Sequence, residues 1–245
     1  MLLFCLPYAG GSETTYYQWD HYLNQSINLC PVSLKGRGKR FNEPFYECLE
    51  DAIEDIFESI KDKLKENEYA IFGHSMGSLL AYELYYKIKK MGFHQPKHIF
   101  FSGYRSPEMK KKEIIYNLPN KQFKEKIIEL GGIPEELVNN DDLFDVFIPV
   151  LKSDIKIVET YEYKEREDKI SCGISVLNGL NDNITLENLM SWKKHTDKSF
   201  QLHHFEGNHF FINHNAENIV SLINQTLAAE KENENQKQML FKSFF

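Results

Sequence analysis

The sequence predicts an α/β fold, a mostly parallel sheet flanked by helices on both faces and interrupted by an inserted helical cap. Three observations carry this reading. Short apolar runs alternate with segments of helical periodicity. The runs lack the in-out alternation of a half-solvated strand, so they belong to strands buried on both faces. The alternation then stops between residues 107 and 165, where helical pieces follow one another without clear strands. A chain of 245 residues, 42% hydrophobic and 27% charged, suits one large domain or one domain carrying a subdomain.

Leu2 to Leu6 is the first expected strand, ended by Pro7 and the Gly10-Gly11 turn. A weaker strand covers Asn28 to Leu34. From about Pro44 the period changes, and Leu49, Ile53, Ile56, Phe57, Ile60 and Leu64 form a helical stripe. Tyr69 to Phe72 is apolar throughout, as a central parallel strand should be. Met76 to Lys90 is helical, with Gly92 as its stop, and Ile99 to Phe101 is the next buried strand. In the cap, one helix carries Phe123, Ile127 and Leu130 and stops at Gly131-Gly132. Pro134 with Glu135-Glu136 reads as a new helix start, and a further helix carries Phe144, Phe147, Ile148 and Leu151. Strand-helix alternation resumes at Ile174 to Leu177, followed by a helix near Leu186 to Lys194. A strand at Phe200 to Phe205 and a last helix through Ile219, Leu222, Ile223 and Leu227 complete the pattern. The expected organisation is a core of residues 1–106 and 166–229, a cap of 107–165, and a charged tail of 230–245 that frays.

Composition excludes several classes. The net charge of −7 opposes nucleic-acid binding by the chain as a whole. No apolar run is long enough for a membrane span. The N-terminus reads as a buried strand rather than a signal peptide. Cys5, Cys30, Cys48 and Cys172 are scattered without a C-x-x-C pair, and a reduced cytoplasmic protein is the expectation.

The chemistry centres on Gly73-His74-Ser75-Met76-Gly77, a G-x-S-x-G pattern between a buried strand and a strong helix. The turn is too sharp for side chains at its flanks, and it lifts Ser75 to the head of the helix, where the dipole and the Met76 N–H favour negative charge. Ser75 is the candidate nucleophile. In sheets with such a turn the partners follow in the order acid, then histidine. Of nine histidines, His209 in Gly207-Asn208-His209-Phe210-Phe211 follows the last strand and is the candidate base. His203 and His204 lie within the strand, His214 could cap the final helix, and His74 supports its loop. Asp182, after the Ile174–Leu177 strand, is the candidate acid, ahead of Asp154, Asp168 and Asp197. The backbone N–H groups of Met76 and Ala9 are the expected oxyanion donors, Ala9 from the small-residue loop after the first strand.

With these residues in view, the chain resembles the type II thioesterases that accompany nonribosomal peptide and polyketide synthases. The likeness extends to about residue 228. It rests on Pro7-Tyr8-Ala9-Gly10-Gly11, Gly36-Arg37-Gly38, Gly73-His74-Ser75-Met76-Gly77, Ser102-Gly103 through Ser106-Pro107, Leu130-Gly131-Gly132-Ile133-Pro134-Glu135 and Gly207-Asn208-His209-Phe210-Phe211. Two positions depart from the family pattern. Tyr8 stands where histidine is common, and Lys35 where proline commonly precedes the Gly36-Arg37-Gly38 turn. The resemblance implies an α/β-hydrolase that cleaves acyl groups from the phosphopantetheine arm of acyl or peptidyl carrier proteins or domains, for editing or release. It implies no metal and no organic cofactor. A monomer is the expectation. A carboxylesterase or lipase for small esters would use the same residues, and a non-catalytic carrier-binding module would not need them all. Two further expectations concern binding: Phe123, Ile127, Phe144, Phe147 and Ile148 cover an acyl chain, and Lys35, Arg37, Lys39 and Arg40 form a basic patch for an acidic carrier, with Arg37 alternatively tying loop carbonyls together.

Overall fold

In a computed structural model of the chain, residues 1–109, 113–130 and 140–243 are described. Six strands form one sheet in the order β2-β1-β3-β4-β5-β6, every pair parallel. They are β1 (Leu2–Leu6), β2 (Asn28–Pro31), β3 (Tyr69–His74), β4 (His98–Ser102), β5 (Gly173–Gly179) and β6 (Phe200–Phe205). Among the described residues the α-helices are α1 (Leu49–Glu66), α2 (Met76–Lys90), α3 (Asn120–Leu130), α4 (Asp141–Thr160), α5 (Leu186–Met190) and α6 (Ala216–Ser243).

The continuous apolar runs are explained by two separate cores. Side chains alternate across a strand, so Leu2, Phe4, Leu6, Tyr69 and Ile71 meet one layer, which includes α1, α2 and Trp192. Leu3, Cys5, Ala70 and Phe72 meet the other, formed by α6 and by a 3-10 helix at Glu13–His21 that brings Tyr16 and Trp19. That helix has no clear apolar period, and only the tertiary fold reveals it. A third cluster of Ile115, Phe123, Ile127, Phe144, Ile148, Leu151 and Ile155 joins α3 to α4.

Several boundaries shift. The second strand is assigned only to Pro31, although Val32 N–H still donates to the Cys5 carbonyl at 2.9 Å. The helix expected to Lys194 becomes α5 followed by a 3-10 turn, Ser191–His195. The segment from Glu230 is helical to Ser243, as suits a run of Glu, Lys and Gln without glycine or proline. The Gly131-Gly132 stop and the helix start at Pro134 lie outside the described residues.

The chain order places the functional region. β1 is followed by β2 on one side and β3 on the other, so the crevice beyond the C-terminal ends of β1 and β3 is the switch point of the sheet. The loops after β1 and β3 both open there, with Leu6 paired to Gly73 in register.

Candidate active site

Ser75 sits between β3 and α2 at φ 53° and ψ −117°, the one non-glycine positive φ among the described residues. Such a conformation is strained for an L-residue and persists only where the surroundings enforce it. Here they are visible. The Ser75 N–H donates to the Ser102 carbonyl at 2.7 Å, and the Ser75 carbonyl accepts from Ser78 N–H at 2.9 Å. A Cβ on Gly73 would overlap the Gly77 carbonyl, and one on Gly77 would overlap the Leu6 carbonyl. The two glycines let α2 come down onto β1 and β3, which presents Ser75 at the helix head.

His209 Nε2 lies 3.0 Å from Ser75 Oγ, and His209 Nδ1 lies 2.8 Å from Asp182 Oδ2. A carboxylate offers only acceptors, so Nδ1 carries the hydrogen and Nε2 is left to accept from Ser75. The Asp182 side chain is 6% exposed and that of His209 is 24% exposed. The acid is thus withdrawn from water, whereas the imidazole keeps an open edge. The chain brings Ser75, His209 and Asp182 together in one line of contacts. The alternative acids lie elsewhere: Asp154 binds Arg37, Asp168 pairs with Lys89, and Asp197 is exposed. His214 is exposed and precedes α6, whose first turn is joined to the Asn215 carbonyl instead.

His74 is fully buried, with Nδ1 2.9 Å from Ser102 Oγ. Tyr8, Phe210 and Phe211 pack edge-on against its ring, and the His209 ring is centred 5.3 Å away. Burial, reinforced by the neighbouring His209, pulls the His74 pKa well below the usual range, against a weaker opposing contribution from the His209 backbone. His74 is therefore a neutral wall beneath His209, in keeping with a supporting role.

The loop after β1 reaches the same rim. Gly11 N–H donates to the Tyr8 carbonyl at 2.8 Å, and Gly10 takes φ +78°. The Tyr8 ring rests edge-on against Phe210. Met76, the first residue of α2, supplies a helix-head N–H.

Two expected binding features change on folding. Phe123, Phe144, Ile127 and Ile148 are spent in the α3–α4 core and do not offer an open apolar cover. Phe147 stays partly buried and, with Leu151, stands over Gly10. The basic loop is largely neutralised internally: Arg37 is buried against Asp154, Arg40 binds Asp55 and Glu43, and Lys35 lies 3.4 Å from Asp55. Lys39 alone of the four is exposed. The reading of Arg37 as a tie for loop carbonyls fits, since it donates to the carbonyls of Lys35 and Gly11. The partner, Asp154, figured in the sequence only as an alternative acid, and the structure gives it to Arg37 instead.

Comparison with known proteins joins this geometry to a family. The thioesterase domain model matches residues 2–227. The linear gramicidin dehydrogenase LgrE of Brevibacillus parabrevis is 36% identical, over 93% of this chain and 88% of that protein. Among solved structures, ClbQ from the colibactin NRPS/PKS pathway superposes with TM-score 0.90 at 34% identity, covering 94% of this chain and 98% of that one. The RedJ thioesterase of the prodiginine pathway in Streptomyces coelicolor superposes with TM-score 0.86 at 32% identity, covering 92% and 85%. The shared architecture is the α/β-hydrolase fold.

Proposed function

The chain belongs to the thioesterase family, hydrolases that act on thioesters, and we propose that it removes acyl groups from the phosphopantetheine arm of a carrier protein or domain, as an editing or release enzyme of nonribosomal peptide or polyketide synthesis. The observation that carries this is the line of contacts from Ser75 through His209 to Asp182, at 3.0 and 2.8 Å. The name of the Brevibacillus relative speaks of a dehydrogenase. In this chain the loop after β1 reads Pro7-Tyr8-Ala9-Gly10-Gly11-Ser12, without the G-x-G-x-x-G spacing of a dinucleotide-binding turn.

In this reading Ser75 Oγ attacks the thioester carbonyl while His209 Nε2 takes its proton. Asp182 holds the tautomer and stabilises the imidazolium. The carbonyl oxygen becomes an oxyanion between the N–H groups of Met76 and Ala9, at the positive end of α2. The tetrahedral centre collapses, the C–S bond breaks, and the thiol leaves with the proton held on His209. A thiol with pKa near about 8.5 leaves readily, so the demand on the acid is smaller than for an amide. Water, deprotonated by His209, then attacks the acyl-serine ester. The collapse releases the carboxylic acid and restores Ser75.

Residues 107–165 form the lid in this proposal, over a core of 1–106 and 166–229. Phe147 and Leu151 are the apolar surface nearest the oxyanion loop. The four cysteines are free thiols, in keeping with a reducing, cytoplasmic setting. Among the described residues no helix is long and apolar enough to cross a membrane.

The test is kinetic and covalent. An acyl-phosphopantetheinyl carrier should exceed a p-nitrophenyl ester in kcat/KM, and a fluorophosphonate should label Ser75. Ser75→Ala should lose about 10⁶ in kcat. Labelling at another serine would overturn the nucleophile, and preference for the simple ester would make the protein a carboxylesterase.

A further inference from the structure

We infer that Asp154 and Arg37 are positioning residues that aim the Ala9 N–H into the oxyanion site and make activity depend on the seating of α4. This rests on the reading of Ser75 as nucleophile. The Asp154 side chain is 1% exposed and that of Arg37 is 6% exposed. Asp154 Oδ2 accepts from the Gly10 N–H at 2.7 Å and also from Arg37 Nη1, and Oδ1 accepts from Arg37 Nη2 at 2.6 Å. Arg37 Nη1 donates in addition to the Gly11 carbonyl at 3.3 Å. One helix carboxylate and one loop guanidinium therefore grip the N–H of Gly10 and the carbonyl of Gly11.

The consequence for the turn follows by elimination. Gly11 N–H is used by the Tyr8 carbonyl, and Gly10 N–H by Asp154. Of the three N–H groups in Ala9-Gly10-Gly11, Ala9 supplies the one directed to substrate. The Ala9 N–H lies in the Tyr8–Ala9 peptide plane, whose carbonyl accepts from Gly11 N–H, and the next plane, which carries the Gly10 N–H, is the one Asp154 holds. The apolar contacts point the same way. A Cβ at Gly10 would lie 2.6 Å from Leu151 Cδ2 and 3.1 Å from Phe147 Cε1, so α4 lies directly on the turn. An α4 lifted away would take with it both the anchor and the wall.

Stability alone does not explain this pair. Burying two charges has a large desolvation cost, and packed apolar side chains of similar volume often do as well or better. What an apolar pair lacks is an acceptor for the Gly10 N–H. That difference separates positioning from packing.

The decisive variant is Arg37→Met with Asp154→Leu in one chain, measured on a short acyl-pantetheine thioester. We expect it to melt within about 5 °C of the parent. Its kcat should fall by about 10²-fold, the scale of a 1 Å misplacement, with KM within about twofold. Phosphonylation of Ser75 by a fluorophosphonate should slow in parallel, since its P=O uses the same site. Asp154→Asn retains the volume and one acceptor oxygen and should lose less kcat than the double variant. It answers the question if the double variant does not fold. Arg40→Met, which breaks a comparable contact to Asp55 away from the turn, should keep the parental kcat. Parental kcat in the folded double variant, or in Asp154→Asn, overturns the positioning role. A parent whose Ser75 is not labelled overturns the nucleophile reading instead, so the two failures are distinguishable.

Discussion

Asp182 and His209 stand 2.8 Å apart on loops that are themselves bonded backbone to backbone. Leu180 N–H donates to the Phe205 carbonyl at 2.8 Å, and Asn181 N–H donates to the Gly207 carbonyl at 2.9 Å. A Cβ at Gly179 would overlap the Asn208 carbonyl, so the approach of the two loops depends on glycine. The two side chains are thus held as one unit across β5 and β6.

Asp182→Asn should therefore leave the fold intact and lower kcat by about 10⁴, because the imidazole loses its orienting anion. Steady-state hydrolysis of an acyl-pantetheine, with circular dichroism as the control, checks this. A parental rate in Asp182→Asn would remove Asp182 from the machinery.

Gly73→Ala should destabilise the chain by more than about 4 kcal/mol, since the added methyl meets backbone that cannot yield. Gly92 is the matched comparison. Its φ is +75° but nothing lies within 4 Å of a Cβ there. Gly92→Ala should cost only about 1–2 kcal/mol, the penalty of the left-handed conformation. Urea unfolding of both variants separates close packing from conformation.

Glu108 predicts an acid-side loss of stability. Burial raises its pKa, but hydrogen bonds from His195, Lys194 and Ser106 outweigh that and bring it from 4.5 to about 2. A depressed carboxylate contributes stability in full above its unfolded value and loses it as the pH falls through the folded one. The gap in urea midpoint between parent and Glu108→Gln should therefore be widest above pH 4.5 and close toward pH 2. A gap that does not change with pH would show that ionisation of Glu108 contributes nothing.

Arg40→Glu should act on stability rather than on carrier docking. The guanidinium binds Asp55 and Glu43 and donates to the Ser33 carbonyl, so the reversal gathers three carboxylates in one place. The melting temperature should fall, and the ratio of kcat/KM for an acyl carrier to that for acyl-pantetheine should not change. A selective rise in KM for the carrier would restore the basic loop as a docking patch.

Hydrogen exchange should distinguish the two cap helices. Phe123 and Ile127 of α3 pack in the cap's own cluster, whereas Ile157 of α4 enters the core of the sheet and Asp154 is tied to Gly10. Amides of α3 should exchange faster than those of β3 and faster than those of residues 151–158. Equal protection in α3 and β3 would describe a rigid cover.

By itself the sequence determined the layered α/β architecture and singled out Ser75, His209 and Asp182 as candidates, three side chains that the fold brings into contact. The reason is that these features are local or ordered along the chain: period, apolar runs, a glycine-flanked serine after a strand, and the succession of acid and base. Boundaries were less legible where no period marks them, as in the 3-10 helix at Glu13–His21. What only the tertiary structure decided is where the charges go. Arg37 and Asp154 are 117 positions apart, and the same residue types could as well have faced water. Phe123 and Phe144 could as well have lined a pocket as filled a core. Composition states that a side chain is charged or apolar. Its partner is fixed by which faces the sheet and helices bring together, because burying a charge is tolerable only opposite its counter-charge.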